Sequence, residues 1–188
     1  MEKENIYTLP NAISLYRLLM FPVILLMAYL QKESLFATLI CINLVTDILD
    51  GLLARMLKQE TRFGAALDNL ADLGTYILAC CGIVRFKPEE FEGHYFILFI
   101  FLLVLAASNI VSWARFGKMP GLHLYSCVIA AYLQGIFFFL LFAKQLYLPL
   151  YYFSVGFGIL AYCEKTIILF LIPEIRPKLK GLFWILKK

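Results

Sequence analysis

The four aspartates of the chain, Asp47, Asp50, Asp68 and Asp72, all fall within one stretch, TDILDGLLARMLKQETRFGAALDNLADL. The segments on either side of its basic turn are apolar enough to cross a bilayer. An ionisable side chain inside a membrane is costly and marks a functional site by default. No Lys or Arg lies deep enough in these two segments to neutralise four carboxylates. Bound divalent cation is therefore the expected compensation, since hard oxygen ligands such as carboxylates favour it. On a helix, Asp47 and Asp50 stand at i and i+3, with Gly51 and Ala54 one turn further along. Gly64, Asp68 and Asp72 make a second stripe at i, i+4 and i+8. Along their axes Asp47 lies ~12 Å from Arg55 and Asp72 ~12 Å from Gly64. If the turn makes the two helices antiparallel neighbours, the two Asp pairs meet at similar depth. Such a cluster predicts one or two Mg²⁺ or Mn²⁺ ions, and two would balance four negative charges. Gly51, Ala54 and Gly64 leave room for a ligand on the carboxylate face, and Arg55, at its aqueous end, suits a phosphate.

The run Asp47-x-x-Asp50-Gly51-x-x-Ala54-Arg55, then eight residues, Gly64, three residues, Asp68, three residues and Asp72 resembles, without a gap, the signature of the CDP-alcohol phosphotransferase (CDP-alcohol phosphatidyltransferase) family. The resemblance implies an integral membrane enzyme that passes a phosphatidyl or similar group from a CDP-linked donor to a hydroxyl and releases CMP. It implies Asp47, Asp50 and Asp68 as metal ligands, with Asp72 as general base also touching a metal. Gly51, Ala54, Arg55 and Gly64 would lie against the nucleotide. The opening Pro10-Asn11-x-x-Ser14-x-x-Arg17 is similar to that of phosphatidylglycerophosphate and cardiolipin synthases. This similarity implies Asn11 beside the nucleotide and Arg17 near the phosphates, where it would serve the acceptor. A homodimer is implied by the family alone.

Composition sets the fold class. With 62% hydrophobic residues and a mean hydropathy of +0.82, this is a membrane chain. At ~20 apolar residues per crossing, six spans fit: roughly 11–30, 35–54, 65–84, 95–114, 124–143 and 148–172. The expected architecture is an all-α, six-transmembrane-helix bundle forming one domain over residues 1–188, with short amphipathic interfacial helices at both ends. Pro10 and Asn11 read as the start and cap of the first span. Cys41, Cys80, Cys81, Cys127 and Cys163 read as buried apolar thiols without metal-ligand spacing. The amino end lacks a basic n-region, so the first span reads as retained.

Lys and Arg concentrate in connections on one side, including Arg55, Lys58, Arg62, Arg115 and Lys118, while Lys32, Arg85, Lys87 and Lys144 fall on the other. This bias predicts cytoplasmic termini and an Asp cluster opening to the cytoplasm of the plasma or inner membrane. Arg115, Lys118 and His123 are candidates for binding an acceptor phosphate. Family members commonly carry a Lys early in span five, whereas this chain has Cys127-Val128-Ile129 there. Glu164 and Lys165, adjacent in span six, predict different partners. Glu89, Glu90 and Glu92 beside Lys87 read as a solvated loop. The tail PEIRPKLKGLFWILKK reads as an interfacial helix on anionic lipid, with no case for nucleic acid.

The function expected is phosphatidyl transfer from CDP-diacylglycerol to an alcohol in phospholipid biosynthesis. Glycerol 3-phosphate is the first acceptor, with phosphatidylglycerol, inositol phosphate or serine behind it. Other classes are a small ion or proton transporter, since intramembrane carboxylates also mark ion pathways, and a silent scaffold.

Overall fold

Helix α1 (Leu9–Tyr29) begins where Thr8, in extended conformation, accepts the Asn11 backbone N–H at 3.3 Å and Pro10 occupies the first turn. The cap is thus Thr8, which leaves the Asn11 side chain for other work. The structure, a computed structural model, describes residues 6–57, 59, 61–117, 124–173 and 181–186. Five further long helices follow: α2 (Glu33–Met56), α3 (Arg62–Phe86), α4 (Tyr95–Phe116), α5 (Tyr125–Ala143) and α6 (Leu148–Leu171). All six have the length and apolarity to cross a membrane, and they coincide with the spans expected. A short α7 (Leu182–Leu186) closes the described chain. At the amino end, residues 6–8 are not helical and run directly into α1. The expected amino-terminal helix otherwise lies outside the described residues, as does the tail over 174–180.

Large apolar side chains face outward and polar ones are enclosed far more often than in a water-soluble fold. Leu19, Ile110, Leu160 and Phe170 are exposed, while Asn11, Ser14, Arg17, Asn43, Asp50 and Thr75 are buried. With lipid in place of water as the outer solvent, apolar side chains can face outward at little cost while polar ones must be enclosed. The cysteines follow this rule. They are free, half-buried or, for Cys163, exposed, rather than enclosed as expected, because an apolar thiol on a helix surface is already in apolar surroundings.

The chain divides into two compact units, Met1–Phe91 with Leu141–Gln145, and Glu92–Leu140 with Leu146–Lys188. In the first, α1 packs more extensively on α2 and on α3 than those two pack on each other. α2 and α3 are direct neighbours, as expected, and α1 packs across both. The end of this unit remote from the aspartates is closed by aromatic packing. Phe36 lies 5.3 Å from Phe86 and 5.4 Å from Phe142 between ring centroids. Gly82 admits this packing, since a Cβ there would fall 2.4 Å from the Phe36 ring. Lys87 joins Glu90 (3.0 Å) and Glu33 (3.6 Å), tying the end of α3 to the start of α2. Partial burial draws the Lys87 pKa down, but the hydrogen bond and charge of Glu90, with Glu33, outweigh it and leave the net shift upward. The loop expected to be merely solvated thus contributes a tether.

In the second unit α4 and α6 pack together. Glu164 and Lys165 turn to different partners, as adjacent helical residues must. Glu164 accepts the Leu182 backbone N–H (2.8 Å) and the Ser126 hydroxyl, anchoring the start of α7. Lys165, buried, reaches Asn109 Oδ1 at 3.4 Å and lies 5.4 Å from the Tyr162 ring centroid.

Candidate active site

The buried face of α1 recurs every three or four residues: Pro10, Asn11, Ser14, Arg17, Ile24 and Ala28. Its cytoplasm-expected half is polar and its other half apolar. The polar half meets the aspartate faces of α2 and α3. Arg17, 2% exposed, directs its guanidinium into the midst of all four carboxylates. Nη1 lies 2.6 Å from Asp47 Oδ1, 3.1 Å from Asp68 Oδ1 and 3.5 Å from Asp50 Oδ2. Nη2 lies 2.9 Å from Asp72 Oδ1 and 3.4 Å from Thr75 Oγ1. One guanidinium against four carboxylates leaves a formal excess of negative charge. That excess is the physical case for a bound cation, because desolvated like charges otherwise repel strongly.

The four aspartates are not equivalent. Asp50 is 3% exposed and accepts the Ser14 hydroxyl at 2.9 Å, so it forms the floor. Asp47, Asp68 and Asp72 keep 34%, 43% and 41% of their side-chain surface open, so the site is approachable from one side. Asp47, Asp50 and Asp68 each offer an oxygen within 4.8 Å of the others, a spacing that suits one shared ion. Asp72 lies outside that triad and is tied to it through Arg17. The donor set is all carboxylate oxygen, which fits Mg²⁺ or Mn²⁺ and not a softer metal.

Below the aspartates a second polar layer supports them. Asn43 donates to Thr75 Oγ1 at 2.9 Å, and the Thr75 hydroxyl donates to the Ala71 carbonyl at 3.0 Å. Neither residue was expected from the sequence, nor was the contribution of Thr61. The available signal is position: Asn43 stands one helical turn before Asp47 and Thr75 one turn after Asp72, polar residues on the same faces within apolar spans.

At the open end, Thr61 caps α3 by accepting the Gly64 N–H at 2.9 Å. Asn11 Nδ2 donates to the Ile6 carbonyl (2.9 Å) and to Thr61 Oγ1 (3.4 Å). A Cβ on Gly64 would fall 2.2 Å from Asn11 Oδ1, so a larger residue there would displace the Asn11 side chain from this position. Gly51 and Ala54 are half-buried on α2, and Arg55, exposed, folds back to the Gly51 carbonyl at 2.9 Å. Of the residues expected at an acceptor phosphate, Arg115 donates to the Leu169 carbonyl and lies over the Phe116 and Phe170 rings. Lys118 and His123 lie outside the described residues.

Six membrane-length helices and an intramembrane carboxylate cluster organised by one arginine define an integral membrane protein with a polar, cation-suited centre. A family model described as CDP-alcohol phosphatidyltransferase matches residues 7–162, and the chain belongs to that family. A protein of Escherichia coli (strain K12) named CDP-diacylglycerol--glycerol-3-phosphate 3-phosphatidyltransferase is 42% identical over 69 residues, 35% of this chain and 38% of that protein. Its namesake from Salmonella choleraesuis (strain SC-B67) is 38% identical over 69 residues, with the same shares covered. The matched stretch thus spans well under half the length of these relatives. No solved structure matches.

Proposed function

We propose that the chain transfers a phosphatidyl group from CDP-diacylglycerol to the hydroxyl of glycerol 3-phosphate, releasing CMP, as a step of phospholipid biosynthesis. The observation that carries this reading is the convergence of Asp47, Asp50, Asp68 and Asp72 on one opening, in a chain of this family. The relatives' names supply the acceptor.

Asp47, Asp50 and Asp68 would hold the cation, Asp50 from the floor and the other two from the sides. When bound, one or two Mg²⁺ or Mn²⁺ ions supply charge neutralisation for the donor pyrophosphate and for the departing CMP. Asp72, partly open and outside the triad, accepts the proton of the attacking hydroxyl. The new bond joins that oxygen to the phosphorus carrying the diacylglycerol group, and the bond from that phosphorus to the CMP oxygen breaks. Gly64 and Asn11 shape the entrance on one side, and Gly51, Ala54 and Arg55 on the other, where the nucleotide would lie. The acyl chains remain in the bilayer throughout, which is why this chemistry belongs on membrane-crossing helices. The charge bias of the connections supports an opening on the cytoplasmic face, where soluble acceptors are found.

The test is to supply purified protein with CDP-diacylglycerol, Mn²⁺ and, separately, glycerol 3-phosphate, phosphatidylglycerol, inositol phosphate or serine, identifying the lipid product by mass spectrometry. Phosphatidylglycerophosphate formed in step with CMP is expected. CMP release with a different acceptor alone would reassign the substrate, and none with any would reject the activity.

A further inference from the structure

Arg17 occupies the oxygens that a divalent cation would use. Its Nη1 is within 2.6–3.5 Å of one oxygen on each of Asp47, Asp50 and Asp68, the three residues whose ligand atoms cluster within 4.8 Å. The side chain enters from a third helix, α1, and not from either helix that carries the carboxylates. Its Nε is buried without a hydrogen-bond partner. The guanidinium is therefore gripped at its two terminal nitrogens and not along its length, so it can pivot without breaking a bond at Nε. Counting Arg17 also changes the charge balance read from the sequence. Two divalent ions against four carboxylates are neutral, but with Arg17 retained among them the centre carries an excess positive charge.

We propose that Arg17 is a resident counter-ion that competes with divalent metal for Asp47, Asp50 and Asp68, holding the carboxylates together while setting a weak metal affinity. The inference rests on the metal-holding role given to these aspartates above. Arg17 and a cation repel at these distances and draw on the same lone pairs. Each Mn²⁺ that binds must therefore turn the guanidinium off at least part of the cluster. Arg17 is a positioning residue in this account. The carboxylates stay assembled at low metal because the arginine bridges them, and they give up that bridge when metal arrives.

The experiment is a Mn²⁺ titration followed by electron paramagnetic resonance, with no substrate present, on the wild type and on Arg17→Gln, paired with thermal unfolding in EDTA and in excess Mn²⁺. Arg17→Gln is expected to bind Mn²⁺ at least about tenfold more tightly than the wild type. It should also melt lower in EDTA and regain most of that loss on adding Mn²⁺, whereas wild-type melting should respond much less. Equal or weaker Mn²⁺ binding by Arg17→Gln, with the wild type still taking up the ion, overturns the competition and leaves the metal site standing. No uptake by either protein overturns both. Should Arg17→Gln fail to fold, Arg17→Met decides, since its side chain carries no charge and no donor to hold the carboxylates: tighter binding than wild type supports the proposal, and equal or weaker binding overturns it.

Discussion

Asp72→Asn is expected to lower turnover by about 10²–10⁴-fold, the range typical of losing a general base, while CDP-diacylglycerol binding changes by no more than a few-fold. The reason is positional. Asp72 lies outside the oxygen triad of Asp47, Asp50 and Asp68, and its side chain is 41% open where Asp50 is sealed. Asparagine retains an oxygen for Arg17 Nη2, now 2.9 Å from Asp72 Oδ1, so the cluster's packing survives. The amide cannot accept the hydroxyl proton. Measured CMP release under saturating acceptor, together with donor binding by calorimetry, separates the two effects. Full turnover in the variant would remove Asp72 as the base, and lost donor binding would move it into the metal or nucleotide site.

Arg17→Leu should have the largest effect on stability. Removing one partner from a buried ionic network leaves uncompensated charge and typically costs about 3–5 kcal/mol. Here one substitution strands four carboxylates, including Asp50 at 3% exposure. For a chain of this size that corresponds to a fall in melting temperature on the order of 10 °C, measured in EDTA. A melting temperature unchanged within a degree or two would mean that the aspartates do not depend on Arg17 for compensation. Leucine fits an apolar span, so the loss cannot be assigned to helix propensity or to poor membrane compatibility.

The helices and the four aspartates were legible in the sequence because both signals are local. An apolar run of membrane length has few alternative folds, and helical spacing alone puts Asp47 with Asp50, and Gly64 with Asp68 and Asp72, on common faces. What was not legible is which further helix packs on both of them. Two Asp stripes joined by a short turn suggest direct neighbours, and they are, but nothing in those stripes shows that α1 packs more extensively on each than they do on one another. The cause is chemical: Asn11, Ser14 and Arg17 on α1 are the polar groups that the carboxylates require. The opening motif alone puts Arg17 near the phosphates, and the face it shares with Ser14 is what brings it among the carboxylates. The cap was misplaced for a related reason. Pro10-Asn11 looks like a helix start, yet Thr8 serves as the cap and frees Asn11 to reach Thr61. That link depends on Gly64 lacking a side chain, a close approach that no single segment's sequence can show.

We propose above that the carboxylates gathered around Arg17 form a cation-dependent reaction centre. Its most direct test is CMP release from CDP-diacylglycerol and glycerol 3-phosphate by the purified protein, followed as Mn²⁺ is added back after EDTA treatment, in the wild type and in Asp50→Asn. No release in EDTA, saturable recovery with Mn²⁺ in the wild type, and little or none in the variant are expected. Undiminished release in EDTA, or a variant that recovers like the wild type, would contradict the proposal.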